Sequence, residues 1–159
     1  MPIDAAAIMT TQVVSVGPDD TVAKVARLLA EKHISAVPVC DADGTLLGML
    51  SEGDLMRLFG TEISTRRAWW LRMLAEGTDL APEFLAYVRE DQRRARELMT
   101  TPVVSVTERT SAREVADLMM RHRIKRVPVL RDGKVVGIVA RADLVRAIAR
   151  SPDALSELL

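Results

Sequence analysis

The sequence predicts a mixed α/β (α+β) fold: two β-α-β-β-α repeats related by a pseudo-twofold axis, with a helical insertion between them. Three observations carry this expectation: an internal duplication, paired apolar runs joined by Asp-Gly turns, and helical periodicity around each pair. Residues 9–40 and 99–130 align with 14 identities in 32 positions, where composition alone would supply roughly two. Such self-similarity marks a duplicated structural unit. Each repeat alone, at about 50 residues, makes only a small core. The two are therefore expected to bury their apolar faces together rather than to act as independent beads.

The elements follow in order. Met9 to Val16, MTTQVVSV, reads as a strand, and Gly17-Pro18-Asp19-Asp20 as a turn and helix-capping cluster. Val22, Val25, Ala26 and Leu29 recur at helical spacing between Thr21 and Lys32. Ile34 to Val39 and Leu46 to Leu50 are apolar runs around Asp43-Gly44, a hairpin signal because Gly tolerates positive φ. Ser51-Glu52-Gly53-Asp54 then opens a short amphipathic helix carrying Leu55, Leu58 and Phe59. The order returns later: MTTPVVSV from Met99, a helix with Val115, Ala116 and Met119 on one face, and Ile124 to Val129. Asp132-Gly133 makes the second turn, and Gly137 to Asp143 repeats Gly48 to Asp54. The expected divisions are repeat 1 at 5–58, an insertion at 59–96, repeat 2 at 97–150 and a tail at 151–159. The insertion reads as two helices, with Trp69 and Trp70 placed either to pack on the module or to form a subunit contact.

Composition narrows the function. With 48% hydrophobic and 28% charged residues the chain is globular. Lys+Arg and Asp+Glu balance at 22 each, so neither a nucleic-acid footprint nor an acidic tail is expected. Cys40 is the single cysteine, which excludes an intrachain disulfide and a cysteine-based zinc site, and the two histidines are too few for a metal cluster. The N-terminus lacks a signal-peptide pattern and no apolar run approaches a membrane span, so a soluble cytoplasmic protein is expected. No Gly-x-Ser-x-Gly elbow, phosphate-binding Gly-Lys loop or His-Glu-x-x-His motif occurs. Binding, not catalysis, is the expectation.

Two ordered copies of MT-x-x-VVSV, an apolar strand around Pro38 or Pro128, and a Gly-to-Asp run entering a helix together resemble the cystathionine-β-synthase (CBS) domain; a tandem pair is similar to a Bateman module. The linker's Trp69-Trp70-Leu71-Arg72 resembles that of bacterial CBS-pair proteins carrying a BON domain. The resemblance implies a regulatory module that binds an adenine nucleotide (AMP, ADP or ATP) in clefts shared by the repeats. S-adenosylmethionine and NAD stand behind those ligands. It further implies a homodimer acting on a separate effector protein. The alternative is an interaction module with vestigial clefts that works through the Trp-bearing insertion.

Asp54 and Asp143 are short carboxylates at helix starts, suited both to capping and to accepting two ribose hydroxyls. Ser51, three residues before Asp54, adds a hydroxyl beside free helix N–H groups; its counterpart is Ala140, with Arg141 next door as a substitute phosphate contact. In modules of the resembled type, the Asp of one repeat faces the leading Thr and the residues before Pro of the other. Carried over, one cleft combines Ser51 and Asp54 with Thr100, Val103, Ser105, Lys125 and Arg126. The other combines Arg141 and Asp143 with Thr10, Val13, Ser15, Ser35 and Ala36. Lys125 and Arg126 make the first the more cationic.

Overall fold

The computed structural model describes residues 3–57, 93–150 and 153. The Trp69-Trp70 insertion and most of the C-terminal tail lie outside the described residues. The chain divides into two compact units that do not coincide with the sequence repeats: one gathers Met1–Val14, Asp43–Leu46 and Val103–Leu159, the other Ser15–Ala42 and Leu47–Pro102. Each unit therefore consists mainly of one repeat plus the segment that leads into the other.

In the unit built on the second repeat, helix α1 (Ala5–Ile8) belongs to the leading segment. It joins strand β3 (Val106–Thr107), helix α5 (Ala112–His122), strands β4 (Arg126–Arg131) and β5 (Lys134–Ala140), and helix α6 (Arg141–Arg150). The sheet order is β3-β4-β5, parallel between β3 and β4 and antiparallel between β4 and β5. Asp132 and Gly133 both have positive φ, 52° and 79°, the two left-handed positions that a tight turn between twisted strands requires. Ser111 caps α5 by accepting from the Glu114 N–H at 3.2 Å. Ala5, Val115, Met119, Val127, Val129, Val139 and Leu144 form one buried cluster, so the leading segment contributes to this core from across the sequence. Glu108 and Arg131 form a two-pronged surface pair at 2.7 and 2.8 Å, which holds the Glu108 carboxyl below its usual range.

The other unit repeats the plan. It holds helix α2 (Val22–Lys32), paired strands β1 (Ala36–Cys40) and β2 (Leu46–Ser51, from Leu47 on), helix α3 (Glu52–Met56) and helix α4 (Ala95–Leu98). Thr21 caps α2 through the Lys24 N–H at 3.1 Å, the counterpart of Ser111. Val22, Val25, Val37, Val39, Leu50, Leu55 and Ala95 are buried here. Cys40 is buried at the end of β1, and burial, with Asp41 beside it, raises its thiol pKa.

The leading segments are held by matching backbone bonds. Ala5 N–H donates to the Thr110 carbonyl at 2.8 Å and Ala95 N–H to the Asp20 carbonyl at 2.9 Å. Thr10 and Ile138 exchange both backbone bonds, at 2.8 and 3.0 Å; Thr100 and Met49 do the same at 2.7 and 3.1 Å. The strand expected over Met9–Val16 is accordingly not continuous. Thr10 bridges to Ile138 and Val16 to Val39, so the run changes partners between them and never builds a ladder. In the second repeat the same run keeps only β3.

The core assignment is tested by neighbouring methionines on α5, Met119 at 3% exposure and Met120 at 81%. Met119→Ala is expected to lower the free energy of urea unfolding by about 2–5 kcal/mol. Met120→Ala is expected to stay within about 0.5 kcal/mol of the parent. Equal losses would contradict the burial of this helix face.

Candidate functional site

Both helix-start aspartates are buried, Asp54 at 8% and Asp143 at 6% exposure. A carboxylate is rarely buried without partners, because desolvation penalises the charge. The partners are visible. Asp54 Oδ2 accepts from the Ser51 N–H at 2.8 Å and from Ser51 Oγ at 3.0 Å, while Ser51 Oγ accepts from the Asp54 N–H at 3.3 Å. This reciprocal cap satisfies donors at the start of α3. Asp54 Oδ1 accepts from Arg57 Nη2 at 2.5 Å and from the Thr100 hydroxyl at 3.2 Å.

Asp143 repeats half of this pattern. Its Oδ2 accepts from the Ala140 N–H at 2.7 Å, and its Oδ1 pairs with Arg146. Ala140 offers no hydroxyl, so the reciprocal cap is incomplete. A cavity of about 410 Å³ lies here, with Ile3, Ile8 and Met9 on its apolar side and Thr10, Asp143, Arg146 and Arg150 as polar lining. That volume falls in the usual range for small-molecule sites.

In both carboxylates the helix cap thus takes Oδ2. The backbone of the preceding strand end fixes Oδ2 and so orients the carboxylate. Oδ1 meets side chains instead, Arg57 and Thr100 at Asp54 and Arg146 at Asp143. In each unit, the aspartate of one repeat and the leading threonine of the other come together. Thr100 bonds Asp54 directly, and Thr10 lines one cavity with Asp143.

The other expected site residues divide between the units. Val13 lies in the unit of Asp143, half-buried, with its N–H on the Thr11 carbonyl at 3.0 Å. Arg141 opens α6 and donates its N–H to the Lys125 carbonyl at 3.0 Å. Lys125 and Arg126 thus stand in the same unit as Asp143, as do Val103 and Ser105. Ser15, Ser35 and Ala36 stand in the unit of Asp54, where the Ser35 carbonyl accepts from the Glu52 N–H at 2.9 Å.

Arg57, Arg146 and Arg150 were not among the expected residues. Helical spacing carries the signal, since Asp54 to Arg57 and Asp143 to Arg146 are three apart, and Arg150 is seven beyond Asp143. Arg57 Nη2 also donates to the Leu98 carbonyl at 2.8 Å, tying α3 to α4.

The methionine before each threonine explains how it is held. A Cβ on Gly137 would stand 2.8 Å from Met9 Cγ, and one on Gly48 would stand 2.6 Å from Met99 Sδ. The glycines let these side chains lie against the strand, which seats Thr10 and Thr100 beside the bridge partners Ile138 and Met49.

A duplicated α/β unit with exchanged leading segments and a buried helix-start carboxylate in each half defines a tandem paired module. The family model described as the CBS domain matches residues 5–60 and 95–150, and the chain belongs to that family as a tandem pair. The CBS domain-containing protein YhcV of Bacillus subtilis is 32% identical over 136 residues, covering 86% of this chain and 79% of that protein. Hypoxic response protein 1 of Mycobacterium tuberculosis is 30% identical over 139 residues, covering 87% and 80%. Among solved structures, Arabidopsis thaliana CBSX2 in complex with AMP aligns with a TM-score of 0.71 at 26% identity, covering 93% of this chain and 97% of the other. No helix among the described residues is long and apolar enough to cross a membrane.

The seating of Met9 on Gly137 makes a specific prediction. Gly137→Ala is expected to destabilise the protein by about 1–3 kcal/mol through overcrowding. The double variant Gly137→Ala/Met9→Ala should recover part of that loss in urea unfolding. A single variant without effect, or a double variant no better than the sum of its parts, would show that the methionine is not seated there.

Proposed function

We propose that this chain is a non-catalytic regulatory sensor that binds an adenine nucleotide through the two aspartate–threonine pairs. The observation that supports this most is a buried, cap-oriented carboxylate beside the leading threonine of the other repeat in both units, hydrogen-bonded at Asp54–Thr100 and sharing a cavity wall at Asp143 and Thr10. Ribose presents two adjacent hydroxyl donors, and a fixed carboxylate is a natural acceptor for them. In the Asp54 unit, the ligand's hydroxyls replace the bonds from Thr100 and Arg57 at Oδ1, while Ser51 keeps Oδ2 in place. The complex of CBSX2 with AMP supports the same ligand class. AMP, ADP and ATP lead, with S-adenosylmethionine and NAD as weaker candidates.

Threonine and aspartate come from different repeats, so a ligand that touches both ties a leading segment to the helix start opposite it. Such a ligand favours whichever conformation holds the two together, by its differential affinity for that state. Signalling then passes to a partner subunit in a homodimer, or to a separate effector protein. One observation favours a second reading for the Asp54 unit. Four hydrogen bonds already engage its carboxylate, which suits a structural site as well as a ligand site.

Calorimetric titration of the whole chain with AMP, ADP, ATP, S-adenosylmethionine and NAD tests the reading. Asp143→Ala and Asp54→Ala are each expected to remove one binding event, or to weaken it at least tenfold, since a hydrogen bond to a charged group is worth about 1.5–3 kcal/mol. No heat and no change in melting temperature with any of the five would end the sensor hypothesis and leave the interaction-module reading.

A further inference from the structure

The two units are built differently around their helix-start carboxylates. In the Asp54 unit, Arg57 reaches from Asp54 Oδ1 to the Leu98 carbonyl, so one guanidinium links α3 to α4. In the Asp143 unit the matching arginine, Arg146, pairs with Asp143, and the 410 Å³ cavity opens beside Ile8, the counterpart of Leu98. Arg150 adds a second guanidinium to the same lining, where repeat 1 has Thr61 in sequence. Asp143, Arg146 and Arg150 fall on one helix face by their spacing. The cavity thus carries two guanidiniums against one carboxylate, and that carboxylate is engaged by the Ala140 N–H and by Arg146.

A site with one buried acceptor, an apolar wall and cationic charge in excess suits a ligand that has hydroxyls, a flat apolar part and an anion. Arginine is the side chain whose fork matches a phosphate, two N–H bonds at a time. The hydroxyl that Ser51 offers is missing at Ala140, so on this side the phosphate contact falls to the helix face instead of the helix start. We propose that Arg146 and Arg150 hold the phosphate of the ligand in the Asp143 cavity. They make this unit selective for phosphorylated nucleosides over the bare nucleoside. The inference rests on the adenine-nucleotide reading for the rest of the ligand, but the anion contact stands without it.

The test is calorimetry on the full chain and on Arg150→Gln, with AMP, adenosine and inorganic tripolyphosphate as probes. Arg150→Gln should weaken AMP and tripolyphosphate about tenfold or more, the loss of a charge-assisted contact, and leave adenosine within about twofold. Arg146→Gln should weaken the same two anions, and circular dichroism on both variants checks that α6 is intact. If no adenine compound binds the parent chain but tripolyphosphate binds and is lost in Arg150→Gln, the nucleotide reading fails and the anion site stands. AMP and tripolyphosphate affinities unchanged by Arg150→Gln, or absent in the parent chain, overturn the proposal.

Discussion

The structure depends on a two-way backbone bridge made by the segment that leads into each repeat. Thr10 exchanges both hydrogen bonds with Ile138, and Thr100 does the same with Met49. These are ordinary strand bonds, but they are made across long stretches of sequence and each fixes one threonine. Ala5 and Ala95 are fully buried in their units, so the leading segments are part of the cores they join. Neither sequence repeat is complete without the segment that precedes the other. A site that needs both an aspartate and a threonine is therefore a property of the pair.

The threonine that each bridge fixes stands near a buried, capped carboxylate. A buried carboxylate must be hydrogen-bonded, and the cap meets that need through Oδ2 in both units. Because the cap uses backbone N–H groups, it also fixes the direction of the remaining oxygen. The two units then diverge through small changes. Ser51 against Ala140, and the Arg57 tie to Leu98 against the cavity beside Ile8, give one carboxylate four hydrogen bonds and set the other in the wall of a cavity.

Much of this was legible in the sequence. The duplication, the Asp-Gly turns and the helical periodicity of Val22 to Leu29 and of Val115 to Met119 each answer to a local rule, and each element appears. The pairing of Asp54 with Thr100 was legible too, through the resemblance to CBS pairs. What was not legible depends on which segment meets which. Residues 9–16 have strand composition, yet their backbone changes partner between Thr10 and Val16, a choice made by tertiary pairing that no local propensity encodes. The short helices at Ala5–Ile8 and Ala95–Leu98 are single turns with too little periodicity to detect. Arg146 and Arg150 were within reach of the i+3 and i+7 rule, but an exposed arginine on a helix has no local mark of function.

The most direct test of the exchanged segments is a disulfide across the Thr10–Ile138 bridge, with Thr10→Cys and Ile138→Cys in a Cys40→Ala background. Residues that exchange both bonds in an antiparallel pair stand about 5.5 Å apart at Cα, within the range a disulfide spans. Near-complete intrachain oxidation under mild conditions is expected, with the fold and melting transition retained. Thiols that stay free in the folded protein, or that link only between chains, would contradict it.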